Sequence, residues 1–341
     1  MAYGPLLVWV ACKPPLPTSM MHMLPLESIV VARDRMTSYI RHTPVAPPPA
    51  LRGDLHPALR LKLENMQVAG SFKARGVFNH LLQLDAAHRS RGVIAASGGN
   101  HGLALAYGAW RLGIPATVYL PAHAAADRER RIAAWGAHVI RYGEAWDDAH
   151  TRALEHAAAE DLYYVHPFDD MRTLEGQGTL GIELLADVPE IDLALIAVGG
   201  GGLIGGVAAA LKQARPGVRI VGVEPVGAPS LTVSLQAGRL VELPAVHSIA
   251  DTLSPRAISE RTLALAQRYV DEVVLVTDGQ MVEAMRWLWT ECNQLVEPAG
   301  AAVIAAIQGG GVDLGRSVAP VAVICGGNAA AEAVFSSYTQ A

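Results

Sequence analysis

Apolar residues recur at helical spacing from 26 to 39, and Arg60-Leu61-Lys62-Leu63-Glu64 alternates as a half-buried strand does. A turn is expected between them at Thr43-Pro44, with a stiff extended link at Pro47-Pro48-Pro49. A helix through Phe78, Leu81 and Leu82 comes next. Short apolar runs then alternate with longer amphipathic stretches. Strands are expected at 93–96, 116–120, 138–140 and 162–165, and helices at 100–112, across 127–131 and at 146–159. A second series opens with a helix at 176–185 and carries strands at 193–198, 219–223, 272–276 and 321–325. Strands separated by helices of this length predict parallel sheets covered on both faces, an α/β class. Two such series predict two layered lobes with a cleft between them. The run Asp127-Arg128-Glu129-Arg130-Arg131 reads as a solvated helix face.

Composition narrows the choice. The 341 residues suit one large or two moderate domains, and a net charge of −5 without a Lys/Arg-rich run excludes a nucleic-acid surface. Cys12, Cys292 and Cys325 are too few and too far apart for a disulfide framework or a metal site, which suits a reducing cytoplasm. Leu6-Leu7-Val8-Trp9-Val10-Ala11-Cys12 is too short to span a bilayer and no positive charge precedes it. Residues 1–25 are therefore expected outside the fold, with a later translation start suggested by Met20, Met21 and Met23.

Candidate chemistry gathers in glycine-rich loops. Of four lysines, only Lys73, in Gly70-Ser71-Phe72-Lys73-Ala74-Arg75-Gly76, sits behind an aromatic ring with glycines on both sides. A second loop, Ser97-Gly98-Gly99-Asn100-His101, opens a helix whose bare amides suit a carboxylate, and Asn100 can donate to a phenolic oxygen. A third, Gly199-Gly200-Gly201-Gly202-Leu203, follows a strand and suits a phosphate. Gly200, Gly202 and Gly205, with Glu224 ending the next strand, also satisfy a dinucleotide-binding pattern. That reading leaves Lys73 and the Asn100 loop unexplained. An amine, a carboxylate site with a phenolate partner and a monophosphate cup are together the requirements of pyridoxal 5′-phosphate held as a Schiff base. Cys325, at the end of the last strand, can face the pyridine nitrogen. A neutral partner there leaves that nitrogen largely unprotonated and favours rapid loss of a β-substituent.

The chain resembles the fold-type II pyridoxal-phosphate enzymes, specifically the serine/threonine dehydratase and serine racemase group. The resemblance runs from Leu26 to the C-terminus. It rests on Lys62-x-Glu64-x-x-Gln67-x-x-Gly70-Ser71-Phe72-Lys73, Ser97-Gly98-Gly99-Asn100-His101-Gly102, His166-Pro167-Phe168-Asp169, Gly176-Gln177-Gly178-Thr179, the glycine run at 199, Glu297-Pro298-Ala299-Gly300-Ala301 and Cys325-Gly326-Gly327-Asn328. It implies a two-lobed fold like the tryptophan synthase β-subunit, dominated by parallel sheets. A large cofactor-binding domain would span 26–90 and 169–341, and a small mobile domain 91–168. Lys73 would carry the cofactor and act in catalysis, Phe72 would pack on the ring, Asn100 would contact the 3′-oxygen and Gly199, Gly200, Gly201, Gly202 and Leu203 would hold the phosphate. Cys325 would face the ring nitrogen, and Ser97, Gly98, Asn100 and His101 would form the substrate-carboxylate loop. A homodimer is usual in the group.

Three departures qualify this. Racemases of the group have a second serine at the position of Gly98, which cannot move a proton. The group's cation site pairs a glutamate with an aspartate six residues on, whereas this chain has Glu224 and Ser230, so no metal is expected unless Glu224 retains one. The usual Asp-Gly-Leu is Asp251-Thr252-Leu253 here, which suggests an altered pocket. The expected reaction is that of a carbon-oxygen lyase: dehydration of L-serine or L-threonine to a 2-oxo acid and ammonia. The alternatives are a bulkier β-hydroxy amino acid (phenylserine, hydroxyaspartate or an osmolyte-derived acid), a racemase, and a non-catalytic pyridoxal-phosphate- or nucleotide-binding protein.

Overall fold

A computed structural model describes residues 24–48, 55–122, 124, 126–144 and 146–328, together with the backbone of 8–10. In chain order the strands are β1 (Val8–Val10), β2 (Val45–Ala46), β3 (Arg60–Leu63), β4 (Val93–Ala96), β5 (Ala116–Leu120) and β6 (His138–Arg141). They continue with β7 (Tyr163–Tyr164), β8 (Leu193–Ala197), β9 (Arg219–Pro225), β10 (Glu272–Val276) and β11 (Pro320–Ile324). Seven form one sheet in the order β1-β10-β9-β8-β11-β3-β2, and four form a second in the order β6-β5-β4-β7. All pairings are parallel except β1 with β10 and β2 with β3, which add antiparallel strands at the two edges of the large sheet. β8 and β11 are buried throughout, as strands covered on both faces must be, which explains their unbroken apolar runs.

Two sequence expectations change. Residues 1–25 do not lie wholly outside the fold, because Val8–Val10 pairs with β10 and Leu24 is fully buried. The remainder of that segment, with Met20, Met21 and Met23, lies outside the described residues. The proline link is preceded by the short strand β2, whose two residues carry too little pattern to be read locally.

Packing fixes the lysine loop. The helix Met171–Asp187 lies against both Lys73–Leu81 and Gly202–Ala214. A Cβ at Gly206 would stand 2.5 Å from the Leu174 carbonyl oxygen, so the approach of these helices requires glycine. Beneath the loop lies a buried ionic network. The Arg75 guanidinium grips Glu64 at 2.8 Å and Glu183 at 2.7 and 3.0 Å. Lys62 reaches Glu183 at 2.7 Å, Asp187 at 3.0 Å and the Thr43 carbonyl at 2.8 Å. The planar guanidinium fork satisfies two carboxylates at once, which a lysine at position 75 cannot do.

Candidate active site

Strands β3, β8 and β11 are neighbours and parallel, so the loops that follow them leave from the same carboxyl edge of the sheet. The loop after β3 leads to Lys73, that after β8 carries the glycine run, and Cys325 directly follows β11. Backbone contacts join the first to the last, with Phe72 N–H donating to the Cys325 carbonyl at 3.1 Å and Gly327 N–H to the Gly70 carbonyl at 2.9 Å. The loop after β4 in the smaller sheet adds Asn100. Phe72, Lys73, Asn100, Gly199, Gly200, Gly201, Gly202, Leu203 and Cys325 thus line a single pocket of about 440 Å³.

Lys73 is the first residue of its helix, and its Nζ donates to the Pro167 carbonyl at 2.7 Å. Its side chain is half-buried, but the ammonium has left bulk water. Burial lowers its pKa to about 8, against the opposing influence of Cys325 and Glu297. A substantial fraction of neutral amine therefore exists near neutral pH, which a nucleophile or base requires. Cys325 lies opposite as a buried thiol that donates to the Ala299 carbonyl at 3.4 Å, and burial pushes its pKa up, so it stays neutral.

The glycine run opens the helix Gly202–Ala214, with Gly201 at φ +80° in the cap position. The turn thus presents bare amides at the positive end of a helix. Phe168 covers this loop so closely that a Cβ at Gly200 would lie 2.3 Å from its ring. A buried amine, a glycine cradle and a neutral thiol around one pocket fit pyridoxal 5′-phosphate.

The Asn100 side chain is held in place. Its Nδ2 donates to Glu297 Oε1 at 2.5 Å, and its Oδ1 accepts from Asn328 Nδ2 at 2.7 Å. The second Nδ2 hydrogen remains for a phenolic oxygen. Burial raises the Glu297 carboxyl pKa to about 7, the Asn100 hydrogen bond opposing it.

Not every predicted residue reaches the pocket. Ser97 and His101 line neither it nor the adjoining one, whereas Gly98 lines the latter. The Ser97 hydroxyl accepts from Gly99 N–H at 3.3 Å. His101 is buried with Nε2 against the Val165 carbonyl at 2.8 Å, and burial holds its pKa well below the ordinary value, so the ring is neutral. Glu224 is also absent from the lining. Its carboxylate accepts from Leu231 N–H at 2.7 Å, Thr232 N–H at 2.9 Å and the Thr232 hydroxyl at 2.7 Å, capping the helix Ser230–Ala237. That engagement leaves it unsuited to a ribose.

The structure adds Phe168, Leu253, Glu297 and Ala299 to the lining, and places the Thr252 side chain there as its departure from the usual glycine suggested. Phe168, Glu297 and Ala299 lie in motifs that carry the resemblance, which was the available signal. Nothing local in the sequence gave them a role.

A family model described as pyridoxal-phosphate dependent enzyme matches residues 36–326. An L-threonine ammonia-lyase of Thermotoga maritima is 36% identical over 306 residues, 90% of this chain and 76% of that protein. A phenylserine dehydratase of Ralstonia pickettii is 38% identical over 292 residues, 84% of this chain and 87% of the relative. Among solved structures, maize serine racemase superposes with a TM-score of 0.87 at 33% identity, covering 92% of this chain and 97% of its own.

Proposed function

The chain belongs to the pyridoxal-phosphate-dependent enzyme family, and from that premise we propose that it is a dehydratase, or ammonia-lyase, of β-hydroxy-α-amino acids such as L-serine or L-threonine. The observation that carries the reading is the Lys73 amine, facing a neutral Cys325 thiol in one pocket with a glycine cradle. Pyridoxal phosphate, when bound, withdraws electrons from the substrate α-carbon and so weakens its C–H bond. Residues 199–203 would hold its phosphate, Phe72 would support its ring and Asn100 would donate to its phenolic oxygen. Bare amides at the start of the helix Asn100–Leu112 hold the substrate carboxylate. The free Lys73 amine takes the α-proton at Nζ. The neutral Cys325 thiol would offer the ring nitrogen no negative charge, a setting that suits expulsion of the β-hydroxyl. Water then hydrolyses the released enamine to the 2-oxo acid and ammonia.

The reading includes a mobile lobe at 91–168, which the separate four-stranded sheet supports, and a homodimer, as the resemblance implies. A cytoplasmic location suits the buried free thiols of Cys292 and Cys325. Among the described residues no helix is long and apolar enough to cross a membrane. Racemisation is the second reading, favoured by the likeness to maize serine racemase. Gly98 weighs against it, since it offers no proton-transferring group. The test is release of 2-oxo acid from L-serine, L-threonine and L-threo-phenylserine by the yellow holoenzyme, with chiral analysis of the residual amino acid. Release without D-enantiomer is expected. D-serine formed faster than 2-oxo acid would replace the proposal with the second reading.

A further inference from the structure

Beside the cofactor pocket lies a second pocket of about 310 Å³, lined by Gly98, Gly99, Leu103, Arg128, Arg131, Ile132 and Asn328. The two share Asn100, Thr252 and Glu297, so the second adjoins the reacting centre. The helix Ala126–Ala133 supplies both arginines at i and i+3, on one face. The expectation of a solvated helix face is thus corrected. Arg130 is exposed, whereas Arg128 and Arg131 are half-buried against the pocket.

These two cations are neutralised unequally. Arg128 pairs with Asp251, whose side chain is 50% exposed. Arg131 donates to Asn328 Oδ1, a neutral amide, and no carboxylate stands within ion-pair distance of it among the described residues. Glu297 also lines the pocket; burial raises its pKa to about 7 against the pull of Arg128 and Arg131, and its Oε1 is engaged by Asn100. A Cβ at Gly98 would meet only Leu120 at 3.4 Å and Ala124 at 3.9 Å, so the wall there is open. The α-carboxylate is already provided for by the amides of this loop. Two guanidiniums beyond it suit a second anion, carried on the substrate β-carbon.

We propose that this pocket is a side-chain carboxylate subsite, and that the preferred substrate class is a dicarboxylic β-hydroxy amino acid, of which 3-hydroxyaspartate is the smallest. Arg131 is the specificity-determining residue and Arg128 assists it. The inference rests on the dehydratase reading. The α-C–H bond and the β-C–O bond break, and water leaves. Hydrolysis of the enamine then consumes one water and releases ammonia, giving oxaloacetate from 3-hydroxyaspartate without any oxidant.

Two measurements test it. First, kcat/KM for 3-hydroxyaspartate and L-serine is compared in the wild-type holoenzyme, Arg131→Met and Arg131→Lys. The ratio of the two values is expected to fall at least tenfold in Arg131→Met, through KM, and to recover in part in Arg131→Lys. An equal loss on both substrates would overturn the proposal and make Arg131 a tie between the loop at Asn328 and its helix. Second, calorimetry on the wild-type holoenzyme compares L-aspartate with L-alanine, neither of which has a β-hydroxyl to lose. At least tenfold tighter binding of L-aspartate, reduced by added salt, is expected, and equal affinities would overturn the subsite. If no β-hydroxy amino acid is turned over, the dehydratase reading fails, while the aspartate comparison still decides the subsite.

Discussion

Two cations, a few residues apart in sequence, have left bulk water in opposite ways. Arg75 is fully buried and gripped by Glu64 and Glu183, with Lys62 completing the network through Glu183 and Asp187. Lys73 is desolvated, with the Pro167 carbonyl and the Phe72 ring at its amine. Pairing decides the difference. The carboxylates around Arg75 raise its pKa despite burial, so its charge is permanent and structural. Lys73 makes no ion pair among the described residues, and burial lowers its pKa to about 8. The same desolvation makes one site rigid and the other reactive.

The sharpest way to break this comparison is Lys73→Met. Turnover should fall by roughly three orders of magnitude or more, since the base is lost. The apoprotein should become more stable at pH 7, by up to about 3 kcal/mol, because a charge buried at a cost is gone. Turnover assays and denaturant unfolding check the two halves, and a destabilised apoprotein would show that Lys73 is held by pairing after all. Arg75→Met should do the reverse. Leaving Glu64 and Glu183 unpaired costs about 3–5 kcal/mol, read as a lower denaturation midpoint. Any loss of activity there should follow the loss of folded protein.

Glu224→Gln probes a third buried charge. Burial raises the Glu224 pKa from 4.5 to about 7, outweighing the amides and hydroxyl of its cap. Between those values the native state holds a proton on Glu224 that the unfolded chain releases, so the contribution of this group to stability falls as pH rises from 4.5 to 7. The buried His80 and His166, whose pKa values burial lowers to about 4, contribute the opposite trend. The glutamine variant loses the Glu224 contribution, so its stability relative to wild type should rise between pH 4.5 and 7, by about 3 kcal/mol at most. Glu297, raised to about 7 in the same way, keeps its own contribution in both proteins. Unfolding midpoints across that range check it. The smallest effect concerns capture of pyridoxal phosphate by the apoprotein. Condensation needs the neutral amine, so the absorbance-monitored rate should rise up to about tenfold per pH unit below 8 and level off above it. A rate independent of pH between 6 and 9 would contradict the unpaired setting of Lys73.

The predicted residues that line the pocket were legible because each lies in a local glycine-rich motif. A glycine run after a strand exposes amides wherever the chain goes, and a lysine between glycines announces close approach. The alternation of strands and helices likewise fixed the parallel sheets, since its period follows from side-chain direction alone. Val8–Val10 and β2 escaped, being too short to carry a period and held by partners distant in sequence. Ser97 and His101 show the limit from the other side. Their motif was evident, yet packing turns both away from the pocket lining.

The sequence by itself pointed to the fold class, the Lys73 amine, the glycine run at 199–202 and the thiol at Cys325, because these depend on residue type and on neighbours a few positions away. Only the tertiary structure decided which charges are paired. Lys62, Lys73, Arg75, Arg128 and Arg131 are alike as letters, and their partners lie on other elements. A charge's pKa and reach depend on the solvent and the counter-ions around it, and these are set by how the strands and helices come together in space.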